Sequence, residues 1–439
     1  MDLNINLRRN KQKVNKQNAL LKAISDLLNE CDCSNTLVSV QEEEVFSGLP
    51  GLQIQSLEDF VEDEINENVN ISEQDDEEML GISSKEPSEE EIQDYLDRVM
   101  KGQKTEKEKY IMPYVHNKVL VQIQGPSVVL NKEGTGAMNA ETGKKVDVEA
   151  LKKTLTQRPP QILSQNQKMQ KSGGETYQFF NFGIPALKGL AVNEKTNKFA
   201  VVNTCPGAGA CQRFCYALKG GYIQYPASFM KQTRMLNYLL NDPKGFFDQL
   251  KNEIAKQKSK FDKKKVKLVI RWHDAGDFFS ESYRTMFFDV VKAFPDIIFY
   301  SYTKVAQNVL ADAPDNFVIN FSQGAKRKEE VKVDTKNIKH SAVVEKSLFT
   351  DLVQRVEKTD EKGKVIKSWA FKSDQDLNTF KTRLADKYDL DTNSIISYEE
   401  MLDTPLSSEK GKYNVIVLPG QGDESASRSD VLGTYLLIH

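Results

Sequence analysis

Three cysteines stand close together in one segment of the chain, Thr204-Cys205-Pro206-Gly207-Ala208-Gly209-Ala210-Cys211-Gln212-Arg213-Phe214-Cys215-Tyr216-Ala217. Thiolates are soft ligands, and glycines let a backbone wrap closely, so a C-x5-C-x3-C loop suits a soft metal. Cys205, Cys211 and Cys215 fall one short of a structural zinc site, which takes four ligands. They would instead hold a 4Fe-4S cluster with one iron left open, or a zinc whose fourth ligand comes from elsewhere. Packed as small buried hydrophobes, the same thiols would do no chemistry. A second constellation is Arg271-Trp272-His273-Asp274-Ala275-Gly276-Asp277-Phe278-Phe279-Ser280. Helix capping accounts for one carboxylate there, but hardly for His273, Asp274 and Asp277 together around Gly276. A third is Tyr300-Ser301-Tyr302-Thr303-Lys304, where Lys304 suits a phosphate or a carboxylate. Asn320, Ser322 and Gln323 hold the same relative place one strand further on.

These residues need a scaffold that brings them to one side, and the pattern around them supplies it. Lys198–Asn203 reads as a buried strand entering the Cys loop, and Lys267–Trp272, Ile297–Tyr302 and Phe317–Phe321 read as three more strands. Pro226–Asn241 and Asp242–Lys256 read as helices, the second with Asp242 as its cap and Pro243 in the first helical position. Ser280 caps another helix, with Tyr283, Phe287, Val290, Val291 and Phe294 facing inward. Strands alternating with helices predict a parallel sheet covered by helices. In such sheets ligands meet the carboxyl ends of the strands, and all three constellations sit there.

The remaining sequence divides by charge. The chain has 439 residues, 28% of them charged, and a formal net charge of −3. Residues 1–110 hold 26 Asp and Glu against 12 Lys and Arg, a charge of −14, while the remainder carries +11. Residues 41–100 alone contain 20 acids and two bases, the composition of a disordered or fold-on-binding segment. A helix is expected before it, over 10–30, and Cys31 and Cys33 read as incidental thiols. The expected organisation is an acidic leader at 1–110, an α/β core with the Cys cluster at 111–344, a polar inserted helical subdomain at 345–410, and strands rejoining the core at 411–439. No uninterrupted apolar run reaches the length of a membrane span, and no signal-peptide core is visible, so membrane and secreted classes are excluded as expectations. Five cysteines, an odd number, point to a reducing compartment and to metal or thiol chemistry.

Cys205-Pro206, Cys211 and Cys215-Tyr216-Ala217, with Arg234, Asn237, His273-Asp274, Gly276-Asp277-Phe278 and Tyr302-Thr303-Lys304, together resemble the phage gene product 88 domain family. The resemblance implies a bacteriophage or prophage origin, and with it the host cytoplasm or the virion as location. It carries no assigned activity. A more distant resemblance is to radical S-adenosylmethionine enzymes, whose three-Cys loop follows the first strand of a partial (β/α) barrel. It implies an iron–sulfur cluster on Cys205, Cys211 and Cys215, and S-adenosylmethionine held by Gly276, Asp277 and Asn320. His273, Asp274, Tyr302 and Lys304 would then line the substrate face. The spacing departs from the C-x3-C-x2-C of those enzymes.

Two other classes compete. Seven lysines between Lys256 and Lys267, with Lys326-Arg327-Lys328, suit nucleic-acid phosphates, with the acidic leader covering them as a mimic. A solvated surface would look the same. Alternatively the Cys loop holds a structural zinc in a virion or host-interaction protein contacting partners through the leader, with Gly420-Gln421-Gly422-Asp423 or His439 supplying further ligands. No Gly-Lys-Ser/Thr ending marks a triphosphate loop.

Overall fold

The computed structural model of the chain describes residues 136–139, 145–173, 175–209, 211, 215–218, 226–359 and 365–437, with four short strands before them. The expected leader helix, most of the acidic segment, and Cys31 and Cys33 lie outside the described residues. In chain order the strands are β1 (Ile54–Gln55), β2 (Ile111–His116), β3 (Val119–Gln124), β4 (Val128–Leu130), β5 (Ala137–Asn139), β6 (Lys145–Val146), β7 (Tyr177–Asn181), β8 (Lys188–Asn193) and β9 (Lys198–Asn203). They continue as β10 (Lys267–Trp272), β11 (Ile298–Thr303), β12 (Phe317–Ser322), β13 (His340–Val344), β14 (Val353–Thr359), β15 (Val365–Phe371), β16 (Ile395–Ser397), β17 (Tyr413–Val417) and β18 (Val431–Leu437). The α-helices are α1 (Val148–Leu155), α2 (Gln167–Lys171), α3 (Pro226–Asn241), α4 (Pro243–Asp262), α5 (Glu281–Lys292), α6 (Ala306–Leu310), α7 (Arg327–Glu330), α8 (Asp374–Tyr388), α9 (Tyr398–Asp403) and α10 (Glu424–Ser427).

The centre is an eight-stranded sheet in the order β16-β17-β18-β13-β12-β11-β10-β7, and every neighbouring pair in it is parallel. The expected α/β class with a parallel sheet is therefore what the chain forms. Strands β7 and β10 to β13 follow one another across the sheet in chain order, as in a partial (β/α) barrel. The last three do not extend that order: the chain moves to the far edge with β16 and returns inward, so that β18 pairs with β13.

Parallel crossovers are right-handed, so strands laid down in opposite directions carry their helices on opposite faces. On one face Phe180, Leu268, Ile270, Trp272 and Phe299 pack against α3, α4 and α5 through residues such as Leu236, Leu250 and Phe287. On the other, Phe179, Val269 and Tyr300 meet Met169 of α2 and Ala426 of α10. Such burial on both faces explains why β10 reads as an almost continuous apolar run.

Local signals set the helix ends. Asp242 accepts from the Gly245 N–H and Ser280 from the Tyr283 N–H, as the sequence predicts. Helix α4 runs beyond Lys256 to Asp262. It ends where Val266 N–H bonds to Phe261 O and Lys265 N–H to Asp262 O, with Lys265 left-handed at φ +57°. Residues 345–410 contain α8 and α9, and also the β14–β15 hairpin and β16, which joins the main sheet. A second sheet, β1-β9-β8-β3-β2, carries β9 toward the Cys loop.

Candidate functional site at the carboxyl edge of the sheet

The Cys loop leaves β9 and lies across the carboxyl ends of the neighbouring parallel strands. The N–H groups of Thr204 and Cys205 bond to Leu187 O at 2.9 and 3.2 Å, and Thr204 O accepts from Asp277 N–H at 2.8 Å. Ala208 forms a β-bridge with Ala325 just beyond β12, Gly207 O accepts from Lys326 N–H, and Cys211 N–H donates to Gly324 O at 3.3 Å. Two glycines permit this close seat. A Cβ on Gly207 would stand 2.2 Å from Lys304 O, and one on Gly209 would stand 2.3 Å from Ala325 O.

This seat brings the thiols toward one another. Cys205, Cys211 and Cys215 are free thiols, and each lies within electrostatic reach of the other two. Burial pushes the Cys205 thiol well up, the Asp277 carboxylate adds to that effect, and Leu187 N–H donates to its sulfur at 3.3 Å. Burial also raises Cys211, against the opposing charge of Lys304. Both are therefore neutral thiols at neutral pH. In kind and number the three sulfurs match a soft metal's donor set. Among the described residues, however, no three His, Cys, Asp or Glu side chains are arranged as a ready-made metal group.

Asp277 and Lys304 form the floor beneath the loop. Asp277 Oδ1 accepts from Phe278 N–H at 2.6 Å and Oδ2 from Lys304 N–H at 2.8 Å. Burial raises its pKa to about 6 in spite of those bonds. Lys304 Nζ donates to Ser322 O, Ser322 Oγ and Gln323 O, at 3.1, 2.9 and 2.6 Å, tying the end of β11 to the end of β12. Gly276, at φ +80°, has the Ile184 side chain 2.3 Å from where its Cβ would be, so this position serves close packing.

The other sequence candidates take separate places. His273 is buried on the helix side, its ring edge-on to Phe278 and its Nε2 2.8 Å from Tyr283 Oη. Tyr283 Oη accepts from Trp272 Nε1, which leaves its own proton for His273 Nε2. Burial, then the Arg271 charge, hold His273 well below its ordinary pKa, and its Nδ1 has no partner among the described residues. Asp274 Oδ2 accepts from Asn181 and Asn166, and the carboxylate presses against Gly183, which has no room for a Cβ. Asn320 Nδ2 donates to Ser301 O and Ala426 O inside the sheet.

One group at this edge was expected from the sequence only as a distant ligand to a structural zinc, and the structure places it in a network of its own. Asp423, in the turn before α10, accepts from Lys168 Nζ at 2.6 Å, Arg271 Nη1 at 2.9 Å, Tyr300 Oη at 2.8 Å and Tyr302 Oη at 3.0 Å. Burial alone would raise its pKa, but Lys168 and Arg271 hold it well below the usual carboxylate range. Arg271 Nη2 also donates to Tyr216 Oη at 3.2 Å, and Tyr216 Oη donates to Asp274 O. Tyr216 follows Cys215, so the network ties the Cys loop to the last third of the chain. In the sequence, its local mark is Arg271, a charge inside the apolar run of β10.

Fold and site define a doubly wound α/β protein with a thiol-bearing loop over its strand ends. The model of the Gene product 88 family matches residues 154–383, more than half of the chain, and the chain belongs to that bacteriophage family. No curated protein and no solved structure matches it. No helix among the described residues is long and apolar enough to cross a membrane.

Proposed function

We propose that the carboxyl-edge loop is a soft-metal site with Cys205, Cys211 and Cys215 as its ligands. The observation that carries the proposal is three free thiols on one loop that glycines press onto the strand ends. A bound iron–sulfur cluster would supply electron transfer and an open iron, and a zinc ion would supply a structural tie. Burial holds Cys205 and Cys211 protonated, and ligation takes thiolates, so a metal must displace their protons and bind more tightly as pH rises. Lys304 supports the loop from below and favours the Cys211 thiolate. Recognition of S-adenosylmethionine would fall to Asp277, whose oxygens already accept two backbone N–H groups. A cofactor amine would have to share them.

The test is iron, sulfide and zinc analysis after anaerobic purification, with a visible spectrum. About four irons with matching sulfide identify a cluster. One zinc in a colourless protein identifies the structural alternative. Either metal should be lost in Cys205→Ser and Cys211→Ser. A protein that stays metal-free after reconstitution with both metals overturns the proposal.

A further inference from the structure

A second feature lies at the opposite end of the sheet. Lys256, Lys260, Lys263, Lys264, Lys265 and Lys267 are all exposed, around the end of α4 and the start of β10. The first residue of β10 is Lys267, and its last, Trp272, leads into the site above. At about 3.3 Å per residue, the two features stand on the order of 17 Å apart along the strand. Of the lysines here, Lys258 is held by Asp262 and Asp296, whereas none of the six has a carboxylate partner among the described residues.

Three observations separate this cluster from ordinary helix-end lysines. The helix dipole favours cations in the last turn, but Lys264, Lys265 and Lys267 lie beyond it. Lys265 also occupies the left-handed position of the helix stop, at φ +57°, where glycine is the usual residue. In addition, Lys260 and Lys264 hold their ammonium groups 5.0 and 5.7 Å from the centroid of the buried Phe261 ring. The charge is presented by a fixed support.

The chemistry of the patch selects its partner. Lysines are point charges suited to phosphate, and no arginine fork stands among them to grip carboxylates two-handed. Phe261 is buried, so the patch offers no exposed ring for unstacked bases. We propose that this end of the molecule binds the phosphate backbone of duplex nucleic acid without reading its sequence. The proposal is independent of the metal site.

The experiment is a salt titration of full-length protein binding to a mixed-sequence DNA duplex, followed by fluorescence anisotropy. Each lysine–phosphate contact contributes about 0.9 to the slope of log affinity against log salt. The triple variant Lys260→Gln, Lys264→Gln, Lys265→Gln should lower the slope by about 2.7. Lys332→Gln with Lys336→Gln, beside the other edge, should leave it unchanged. An equal slope in the triple variant overturns the proposal. So does absence of duplex binding at low salt, which would assign the patch to an acidic protein segment, the chain's own included.

Discussion

Asp277, expected from the sequence to hold a cofactor, also has a part in fixing the strand ends. Its oxygens are spent on the N–H groups of Phe278 and Lys304, which fix the end of β10 against the end of β11. Because burial raises its pKa from 3.8 to about 6, the folded state binds the proton more tightly than the unfolded state between those values. Stability from this group is therefore greatest below pH 3.8 and is lost as pH rises through 6. Asp277→Asn should remove that slope in urea unfolding measured across this range. It should also cost about 1–3 kcal/mol, since an amide cannot accept both N–H groups equally. Asp423 behaves oppositely: its carboxylate is depressed, so its contribution is present above pH 3.8 and lost on acidification. Asp423→Asn leaves Arg271 facing Lys168 without a counter-charge, and about 3–5 kcal/mol of stability should disappear in denaturant unfolding. The polar strand ends were legible because His, Asp and Lys interrupt apolar runs. The pairing of Arg271 with Asp423 was not, because 152 residues separate them and only the folded sheet makes them neighbours.

Among the elements, those with caps and one clear period were readable: α4 behind Asp242, α5 behind Ser280, and β10 as a buried run. Strands β7 and β13 were missed. Tyr177-Gln-Phe-Phe-Asn and His340-Ser-Ala-Val-Val are five residues each, with polar side chains that the sheet satisfies only through distant partners such as Asp274 and Tyr435. The segment 345–410 was read as an inserted helical subdomain from its polarity, yet Ile395–Ser397 pairs with β17 on three residues alone. The Cys loop was legible as an element, and its seat is testable. Gly209→Ala places a methyl group against Ala325 O, an overlap that costs about 1–3 kcal/mol unless the loop lifts. Lifting should expose the sulfurs, so thiol-labelling of Cys205 and Cys211 should become faster in the variant while the far-ultraviolet circular dichroism stays unchanged.

On the scale of the whole molecule, composition and alternation were enough to predict a helix-covered parallel sheet, but not its strand order. Nothing local in β16 to β18 says that they enter from the far edge; the order follows from which long-range pairings bury the most apolar surface, with Val415, Val417 and Val431 packed beneath Met401. The family match ends at residue 383, within α8, before any of these three strands. A chain ending at Arg383 would lack Asp423 and leave β13 as a bare edge, where Ala342 and Val344 lose Tyr435 and Leu437. Size-exclusion chromatography should find that fragment aggregated, while the full chain runs as a discrete species. The same insertion of β18 between β13 and β17 has a consequence for synthesis. Translation proceeds at about 5–20 residues per second, so the 87 residues from Val344 to Val431 take on the order of 4–17 s to emerge. Throughout that interval β13 waits with one side unpaired, and the nascent protein depends on whatever shelters that strand until its last partner leaves the ribosome.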